Sequence, residues 1–344
     1  MSTNTTIYDD DTYIVGDEIT IVLIFKYIAS SLSLFGSIFM MSSYIYFKLT
    51  VNNETRSRAN SQTTNKNSNL KMGWGHDMLF CLALSDFIHS VSSFVKTSDF
   101  TSGTIDSSCI AQGILMNFGE ISSVSWTSVI AMSIYLGTVV TDFGKVKKFL
   151  FYFYVYVTSI LLTFLPFITN SYGVAGAWCW LNTKNLDDSD AWLWSMGIYI
   201  FHWCNIVFNI FAVCKTIKYF KIRAFEIEED NQEQSNFLKN FCIVLKFFPI
   251  ILIICWVPAT INRIYLFATG IENTFLYTIH AFSSSLIGFL NALVYSYYYK
   301  SHIKSCILPK VEVKEDTAHI EMENNEYVKN VTLESDKNKN IDNI

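Results

Sequence analysis

The chain has 344 residues, of which 51% are hydrophobic and 16% aromatic, while only 16% are charged. Soluble domains carry about a quarter charged residues, so this composition indicates long uncharged segments and a membrane protein. The formal net charge of −5, with no basic stripe along any predicted element, excludes a nucleic-acid partner.

Seven stretches are long and apolar enough to cross a hydrocarbon core about 30 Å thick as helices. In chain order they cover residues 19–47, 76–95, 110–140, 149–169, 191–219, 240–268 and 274–299. The second is the weakest, because it is short and contains Asp86 and His89, and six spans is the alternative count. We therefore predict an all-α membrane protein, a seven-transmembrane-helix bundle over 19–299, preceded by an extracellular segment 1–18 and followed by a cytoplasmic tail 300–344.

The loop charges predict the orientation, because lysine and arginine are enriched in cytoplasmic loops. The loops after the first, third and fifth stretches are rich in these residues, whereas the opposite loops hold only Lys96 and Lys184. The leading segment 1–18 has five acidic residues and no lysine or arginine. We expect the N-terminus outside and the C-terminus inside, which requires an odd number of spans and favours seven over six.

Several segments outside the predicted helices carry their own signals. Asn4 begins the sequon Asn-Thr-Thr on the side predicted to be extracellular and is a candidate glycosylation site. The polar tract 52–69 and most of the tail 300–344 have too few apolar residues to build a core and are predicted to be disordered. Residues 300–308 have the pattern of a short amphipathic helix along the membrane, with Cys306 as a palmitoylation candidate. A frayed basic tail is the alternative.

Two cysteines are predicted to meet outside the membrane. Cys109 opens the third stretch, and Cys179 lies in the loop between the fourth and fifth stretches. Disulfides persist in the extracellular compartment, and a bridge here would tie that loop across the mouth of the bundle. Two free thiols near the surface are the alternative.

Polar residues at membrane depth mark a second site. Asp86 and Asn291 lie inside the second and seventh stretches, where such groups are costly and usually face a bundle interior or an aqueous cavity. With Ser122, Ser123 or Ser125 of the third stretch they would form a hydrated or ion-binding cluster. Ordinary hydrogen bonding between helices is the other interpretation.

The sixth stretch contains Pro249 and Pro258, each of which removes a backbone hydrogen bond and favours a kink. Trp256 lies beside the second proline, so a rotation there would re-aim the inner half of the helix and give the bundle two states. A static kink with a packed tryptophan is the alternative.

Ionisable residues toward the outer side are the candidates for ligand contact. They are Lys26, His202, Arg263 and His280. Arg263 lies two turns beyond Trp256, where its guanidinium would hold a carboxylate or phosphate through paired hydrogen bonds. Snorkelling toward the lipid head groups is the alternative, and the acidic N-terminal segment argues against an anionic ligand.

Taken together, these residues resemble G-protein-coupled receptors. The shared features are Cys255-Trp256-Val257-Pro258, Asp86, Asn291 with Tyr295, and the placement of Cys109 and Cys179. The run GFLNALVY at 288–295 and the pair Cys179-Trp180 are more particularly similar to the slime-mould cyclic-AMP receptor family and its receptor-like branch, over about residues 19–305. Two departures concern the rhodopsin-like pattern: SIY at 133–135 and TDF at 141–143 lack its acid–arginine pair, and Ala292 replaces its proline.

The resemblance implies a receptor, not an enzyme, that passes a chemoattractant or developmental signal to heterotrimeric G proteins. It does not by itself imply cyclic AMP as the ligand. The expected partners are a G protein, an extracellular small molecule and membrane lipid, with no cofactor, no metal and a multi-pass location in the plasma membrane. The basic residues expected to face the G protein or anionic lipid are Lys145, Lys147, Lys148, Lys218, Lys221 and Arg223.

A small-solute transporter or channel is the alternative function. It predicts that mutation of Asp86 abolishes transport rather than biasing a signal. A retinal-binding pump is disfavoured because residues 274–299 contain no lysine for a Schiff base, and a histidine-based hydrolase is disfavoured because the six histidines are scattered.

Overall fold

The computed structural model describes residues 16–60, 74–95, 106–139, 145–182, 189–227 and 232–297. Within these ranges the chain forms seven α-helices and one two-stranded hairpin. The helices are α1 (Asp17–Asn60), α2 (Trp74–Ser92), α3 (Ser107–Val139), α4 (Lys145–Ile168), α5 (Ser189–Ile227), α6 (Gln232–Thr269) and α7 (Thr274–Ser285). A further helical segment, 287–297, follows α7 after a break at Leu286. The predicted all-α bundle is confirmed.

By its internal contacts the chain divides into two units, Met1–Tyr295 and Ser296–Ile344. The first unit contains all seven helices and the hairpin. Of the second unit, only Ser296 and Tyr297 are among the described residues, and both are helical. The predicted tail therefore lies almost entirely outside the described part of the chain.

Five of the helices are long and apolar enough to cross a membrane by length and composition: α1, α4, α5, α6 and the stretch that begins with α7. Large apolar side chains cover their outer surface, among them Phe35 at 73% and Ile168 at 74% exposure, and an exposed apolar surface of this extent is typical of helices that face lipid. Helices α2 and α3 are not among these five, and α3 is buried along most of its length. The protein is thus a multi-pass membrane protein.

The helix ends differ from the prediction mainly at α1, at α6 and at α5, which runs to Ile227 instead of 219. Helix α1 continues to Asn60, so residues 52–60 of the tract predicted to be disordered are helical, and α6 begins at Gln232 rather than 240. Neither extension contains glycine or proline, the residues that most strongly oppose helix formation. A polar sequence without such residues continues a helix once the apolar part has nucleated it.

A hairpin covers one end of the bundle. Strand β1 (Tyr172–Val174) pairs antiparallel with β2 (Cys179–Leu181), with Val174 opposite Cys179. Gly176, at φ +82°, lies in the turn, in a backbone conformation that favours glycine. We call this end, which also holds Gly16 and Thr274, the outer end, because the sequence predicts that it faces outside.

Side chains cap the helices that begin at the outer end. The Asn273 side chain accepts a hydrogen bond from the Leu276 N–H at the start of α7, over 3.1 Å. The Asp106 carboxylate accepts one from the Cys109 N–H in the first turn of α3, over 2.7 Å. These caps satisfy N–H groups that have no partner within the helix, so both helix starts are fixed next to the hairpin.

Candidate functional site

Three of the four predicted ligand-contact residues meet around the hairpin. The Lys26 Nζ of α1 lies 5.0 Å from the ring centroid of Trp178, and the ring of His280 meets the same indole edge-on at 5.2 Å. Tyr277 packs 5.6 Å from Trp178, and the Arg263 Cζ lies 5.8 Å from the Tyr277 ring. We call Lys26, Trp178, Arg263, Tyr277 and His280 the outer cluster.

The two cations of the outer cluster are buried together with carboxylates. Arg263 is 1% exposed and Lys26 is 3% exposed. Glu272 accepts a hydrogen bond from the Tyr277 hydroxyl at 3.2 Å. Its negative charge favours the charged form of Arg263. The negative charge of Glu120 likewise favours the charged form of Lys26. Buried charges are tolerated only when they are compensated, and Glu272 and Glu120 are the buried carboxylates whose negative charge acts on the two cations. An anionic ligand would compete with them.

The Glu120 carboxylate also contacts α2. Its Oε1 lies 3.3 Å from His89 Nε2, and both side chains are buried. His280 is held by Asn262 of α6 at 3.1 Å. The outer cluster is therefore linked to α6 by the His280–Asn262 contact, to α3 by Lys26 Nζ, which lies 4.0 Å from Met116 Sδ, and to the hairpin by aromatic contacts.

The base of the hairpin is anchored by a hydrogen-bonded chain under Arg263, whose Cζ lies 5.1 Å from the Trp180 ring. The Trp180 indole donates to Asn117 Oδ1 at 3.2 Å, and Asn117 Nδ2 donates to the Tyr172 hydroxyl at 2.9 Å. That hydroxyl donates to the Thr163 carbonyl at 2.8 Å. Burial raises the pKa of Tyr172, so its hydroxyl keeps the donating proton at neutral pH.

The Cys109–Cys179 disulfide is formed, as predicted. Beside it, the Cys179 N–H donates to Gln112 Oε1 at 2.8 Å, and Gln112 Nε2 donates to the carbonyls of Ser92 and Val95. The second strand of the hairpin is therefore joined covalently to α3 and, through Gln112, to the outer end of α2.

A series of aromatic rings leads from the hairpin into α6. Trp180 packs edge-on against Tyr199 at 6.1 Å, and Tyr199 packs edge-on against Trp256 at 6.2 Å. The fourth predicted ligand residue, His202, packs against Trp256 with 3.8 Å between ring centroids. His202 thus contacts the tryptophan beside Pro258, the residue predicted to form the switch.

The polar residues predicted at membrane depth meet in the middle of the bundle. Asp86 accepts hydrogen bonds from Ser123 Oγ and from Asn291 Nδ2, the latter at 2.9 Å. Of the three candidate serines, Ser123 makes this contact, while Ser122 and Ser125 donate to carbonyls of their own helix. We call Asp86, Ser123 and Asn291 the polar core.

The break after α7 lies next to the polar core and is bridged by α1. The Ser33 hydroxyl donates to the Ser285 carbonyl at 2.6 Å and accepts from the Phe289 N–H at 3.1 Å. In an uninterrupted helix this N–H would bond directly to that carbonyl. The break at Leu286 separates these two backbone groups, and Ser33 therefore provides each of them with a hydrogen-bond partner.

Helix α6 stays helical through Pro249 and Pro258. Each proline leaves the carbonyl four residues earlier without its usual partner. On the α7 side, Ser283 Oγ donates to the Cys255 carbonyl at 3.3 Å, one turn before Pro258. Tyr295 packs with Met40, Ala83 and Ala292 in an apolar cluster.

Several predicted residues lie outside what the structure describes. These are Asn4, Cys306 and the side chains of Lys145, Lys147 and Arg223. Lys148 lies in the first turn of α4, and Lys218 and Lys221 lie in the inner part of α5. All three are thus at the end of the bundle predicted to face the cytoplasm.

Four residues at this site were not predicted from the sequence: Glu120, Trp178, Glu272 and Tyr277. Glu120 lies inside a predicted membrane span, so the rule that selected Asp86 would also have selected it. Trp178 and Tyr277 gave no such signal, because aromatic residues are frequent throughout this chain.

Comparison with known proteins gives a consistent result. Residues 70–332 match the family described as slime mold cyclic AMP receptor. G-protein coupled receptor 1 of Arabidopsis thaliana is 27% identical over 296 residues, 83% of this chain and 80% of that protein. Cyclic AMP receptor 1 of Dictyostelium discoideum is 24% identical over 230 residues, 64% of this chain and 56% of that protein.

Among solved structures, squid rhodopsin superimposes with a TM-score of 0.58. The two proteins are 14% identical, and the match covers 87% of this chain and 91% of that one. At this identity the likeness shows the fold alone.

Proposed function

Because the chain belongs to the slime mold cyclic AMP receptor family, we propose that it is a G-protein-coupled receptor that carries an extracellular chemical signal to heterotrimeric G proteins. The observation that carries the proposal is the outer cluster. Two buried cations from α1 and α6, Lys26 and Arg263, lie beside one pair of aromatic rings, Trp178 and Tyr277. The cluster lies at the outer end, under the disulfide-linked hairpin.

The cluster favours a small ligand with an anionic group and a flat ring system. The anion would pair with Arg263 or Lys26 and displace Glu272 or Glu120 as its counter-charge. The ring system would pack against Trp178 and Tyr277, whose faces also attract cations. A cyclic-AMP-like molecule has both parts, so a chemoattractant or developmental cue of this kind is the first ligand to test.

Transmission would pass from the outer cluster to α6. Arg263 contacts Trp180, which is the first ring of the series through Tyr199 to Trp256. A ligand that binds the two states of the bundle with different affinity shifts their populations. We propose that displacement of Arg263 moves the Trp256 ring, and that α6 then swings at Pro258 and opens the inner end.

The proposed G-protein surface is the inner end of α4 and α5. The exposed side chains of Lys218 and Lys221, together with Lys148, would contact the G protein or anionic lipid. Lys145, Lys147 and Arg223 are proposed to extend this surface.

The test is a proximity sensor between the C-terminus of the full chain and a G-protein α subunit in intact cells. Cells are challenged with cyclic AMP and then with cell-conditioned medium. We expect a concentration-dependent response whose half-maximal concentration rises about 10- to 100-fold in Arg263→Gln and in Lys26→Met, because each loses a charge-assisted hydrogen bond. The matched control is Ile264→Ala, which alters the neighbouring exposed residue of α6 and should leave the response unchanged.

A second variant separates binding from transmission. Trp256→Ala should abolish the response while surface expression and ligand binding persist. No engagement under either stimulus, combined with solute flux in vesicles that contain the purified protein, would instead support the transporter alternative.

A further inference from the structure

A cleft lies on the flank of the bundle, between α3, α4 and α5. It has a volume of about 470 Å³. Its walls are mostly apolar, with Phe151 from α4 and Phe208 from α5 among them. Cys204 and Tyr154, which also line it, are exposed. The cleft is therefore open to the surface that the membrane covers, and it is separate from the outer cluster.

The floor of the cleft is polar. Asn205 and Ser128 line it and are 5% and 3% exposed. Asn205 Nδ2 donates to the Phe201 carbonyl of its own helix at 2.8 Å, and Tyr154 lines the cleft beside it. Asn209, which does not line the cleft, donates a hydrogen bond from Nδ2 to Ser128 Oγ at 2.7 Å. Oxygen atoms thus lie at the bottom of a site whose walls are hydrocarbon.

This floor lies at membrane depth. Asn205 is near the middle of the apolar span Ser189–Ile222. An amide oxygen accepts two hydrogen bonds and a phenolic oxygen can accept as well as donate, so the side-chain oxygens of Asn205 and Tyr154 are acceptors that line the cleft. Hydrocarbon provides no water to donate to these oxygens. A donor that is itself dissolved in the bilayer would do so.

We propose that this cleft binds an uncharged, lipid-soluble hydrocarbon alcohol that enters from the bilayer. Its hydroxyl group donates a hydrogen bond to the side-chain oxygen of Asn205 or Tyr154. None of the residues that line the cleft is charged, so an ionic head group would have no counter-charge there. A water-sized unit occupies about 30 Å³, so the volume suits a molecule of about 15 non-hydrogen atoms. The apolar walls enclose the chain, and the polar floor binds the hydroxyl.

The first test uses the unmodified full chain in phosphatidylcholine nanodiscs with a photoreactive farnesol, a 15-carbon alcohol. Covalent labelling should map to peptides of α3, α4 and α5 that line the cleft. Excess farnesol should prevent it, and farnesyl methyl ether, which lacks the donor, should compete about fivefold more weakly, the effect of one net hydrogen bond. Equal competition by alcohol and ether would overturn hydroxyl recognition.

The second test uses two exposed cysteines of the same helix as a matched pair. Cys204 lines the cleft and Cys214 does not, although both are exposed and free. Cys204→Phe should fill the cleft and reduce labelling at least tenfold, whereas Cys214→Phe should label like the unmodified chain. Asn205→Leu should reduce affinity for the alcohol and leave affinity for the ether unchanged.

Two results would overturn the site itself. One is labelling spread evenly over the lipid-facing helices, or stronger labelling by a photoreactive phosphatidylcholine, since either means that acyl chains fill the cleft. The other is equal labelling of Cys204→Phe and Cys214→Phe. Each variant is first shown to elute as a single peak in size-exclusion chromatography. The alcohol and ether comparison on the unmodified chain decides the question even where a variant does not fold.

Discussion

The outer cluster and the polar core both bury polar side chains inside the bundle, but they do so by different means. In the outer cluster, the cationic groups of Lys26 and Arg263 lie 5 to 6 Å from aromatic centroids, and the buried carboxylates of Glu272 and Glu120 contact Tyr277 and His89. In the polar core, Asp86 is bonded directly to residues of two other helices. The first arrangement can exchange partners when a ligand arrives, whereas the second fixes helices to one another.

The backbone packing follows the same division. Around the polar core, small residues bring helices close: a Cβ added at Gly288 would lie 3.0 Å from Asp86 Cβ, and one at Gly36 would lie 3.0 Å from Ala292 Cβ. Small residues permit this approach in membrane bundles.

At the outer end, by contrast, glycines approach aromatic rings: a Cβ added at Gly113 would lie 2.7 Å from Tyr172 Cδ1, and one at Gly176 would meet the Tyr277 ring. A disulfide also joins the hairpin to α3. The integrity of the outer end should therefore depend on the covalent bond as well as on atomic fit, and that of the core on the fit between helices.

The largest expected effect is loss of the covalent bond. In Cys109→Ser the hairpin is released from α3, and closure of a loop with a sequence separation of 70 contributes about 4 kcal/mol. We expect loss of surface expression or of ligand binding, measured by cell-surface labelling and by radioligand binding. The double variant Cys109→Ser with Cys179→Ser should be no worse than either single one. The control, Cys204→Ser, changes an exposed free thiol and should behave normally.

The next largest effect should come from the polar core. Asp86→Ala removes the acceptor for both Ser123 and Asn291 and leaves buried donors without a partner, which costs about 3 kcal/mol. The thermal unfolding midpoint in detergent should fall well below that of Asp77→Ala. Asp77, on the same helix, accepts a hydrogen bond from Tyr44 in a partly exposed position. An unchanged or higher midpoint for Asp86→Ala would show that the aspartate is held for signalling at the expense of stability.

Two glycines provide a test of atomic fit. Gly288→Ala places a methyl group 3.0 Å from Asp86 Cβ and 3.2 Å from Ser33 Cβ, and overpacking of this kind costs about 2 kcal/mol. Gly197→Ala, on α5, meets nothing within 4 Å and should be neutral or stabilising by up to about 1 kcal/mol, because alanine favours the helix. Detergent melting curves of the two variants should shift in opposite directions. Equal shifts would mean that α1, α2 and the segment after α7 are not closely packed at Gly288.

The two regions also differ in how well the sequence predicted them. The polar core could be predicted because a charged or amide side chain is conspicuous within an apolar stretch. In the structure, Asp86 and Asn291 do meet. The disulfide could be predicted because both cysteines lie in segments that are predicted to be on the extracellular side of the membrane. The outer cluster could be predicted only in part, since its cations stand out in the sequence but its rings, Trp178 and Tyr277, do not.

Other features required the three-dimensional structure. Nothing in the sequence indicates that Ser33, rather than another serine of α1, bridges the break at Leu286, because the match depends on the register between α1 and α7. The helical extension of α1 to Asn60 was missed because a polar composition was taken as a sign of disorder. Polar residues without glycine or proline continue an existing helix as readily as they form a loop.

The smallest expected effect concerns the bridge from α1. Ser33→Ala removes the hydroxyl between the Ser285 carbonyl and the Phe289 N–H. These groups then either lose a partner, at a cost of about 1 kcal/mol, or bond to each other and straighten the helix. Ser31→Ala, at an exposed position of the same helix, is the matched control. Hydrogen exchange of the Phe289 amide separates the two outcomes: faster exchange indicates an unpaired N–H, and slower exchange indicates a repaired helix. Exchange identical to that of Ser31→Ala would mean that Ser33 does not bridge the break, and the helical segment after α7 would then be independent of α1.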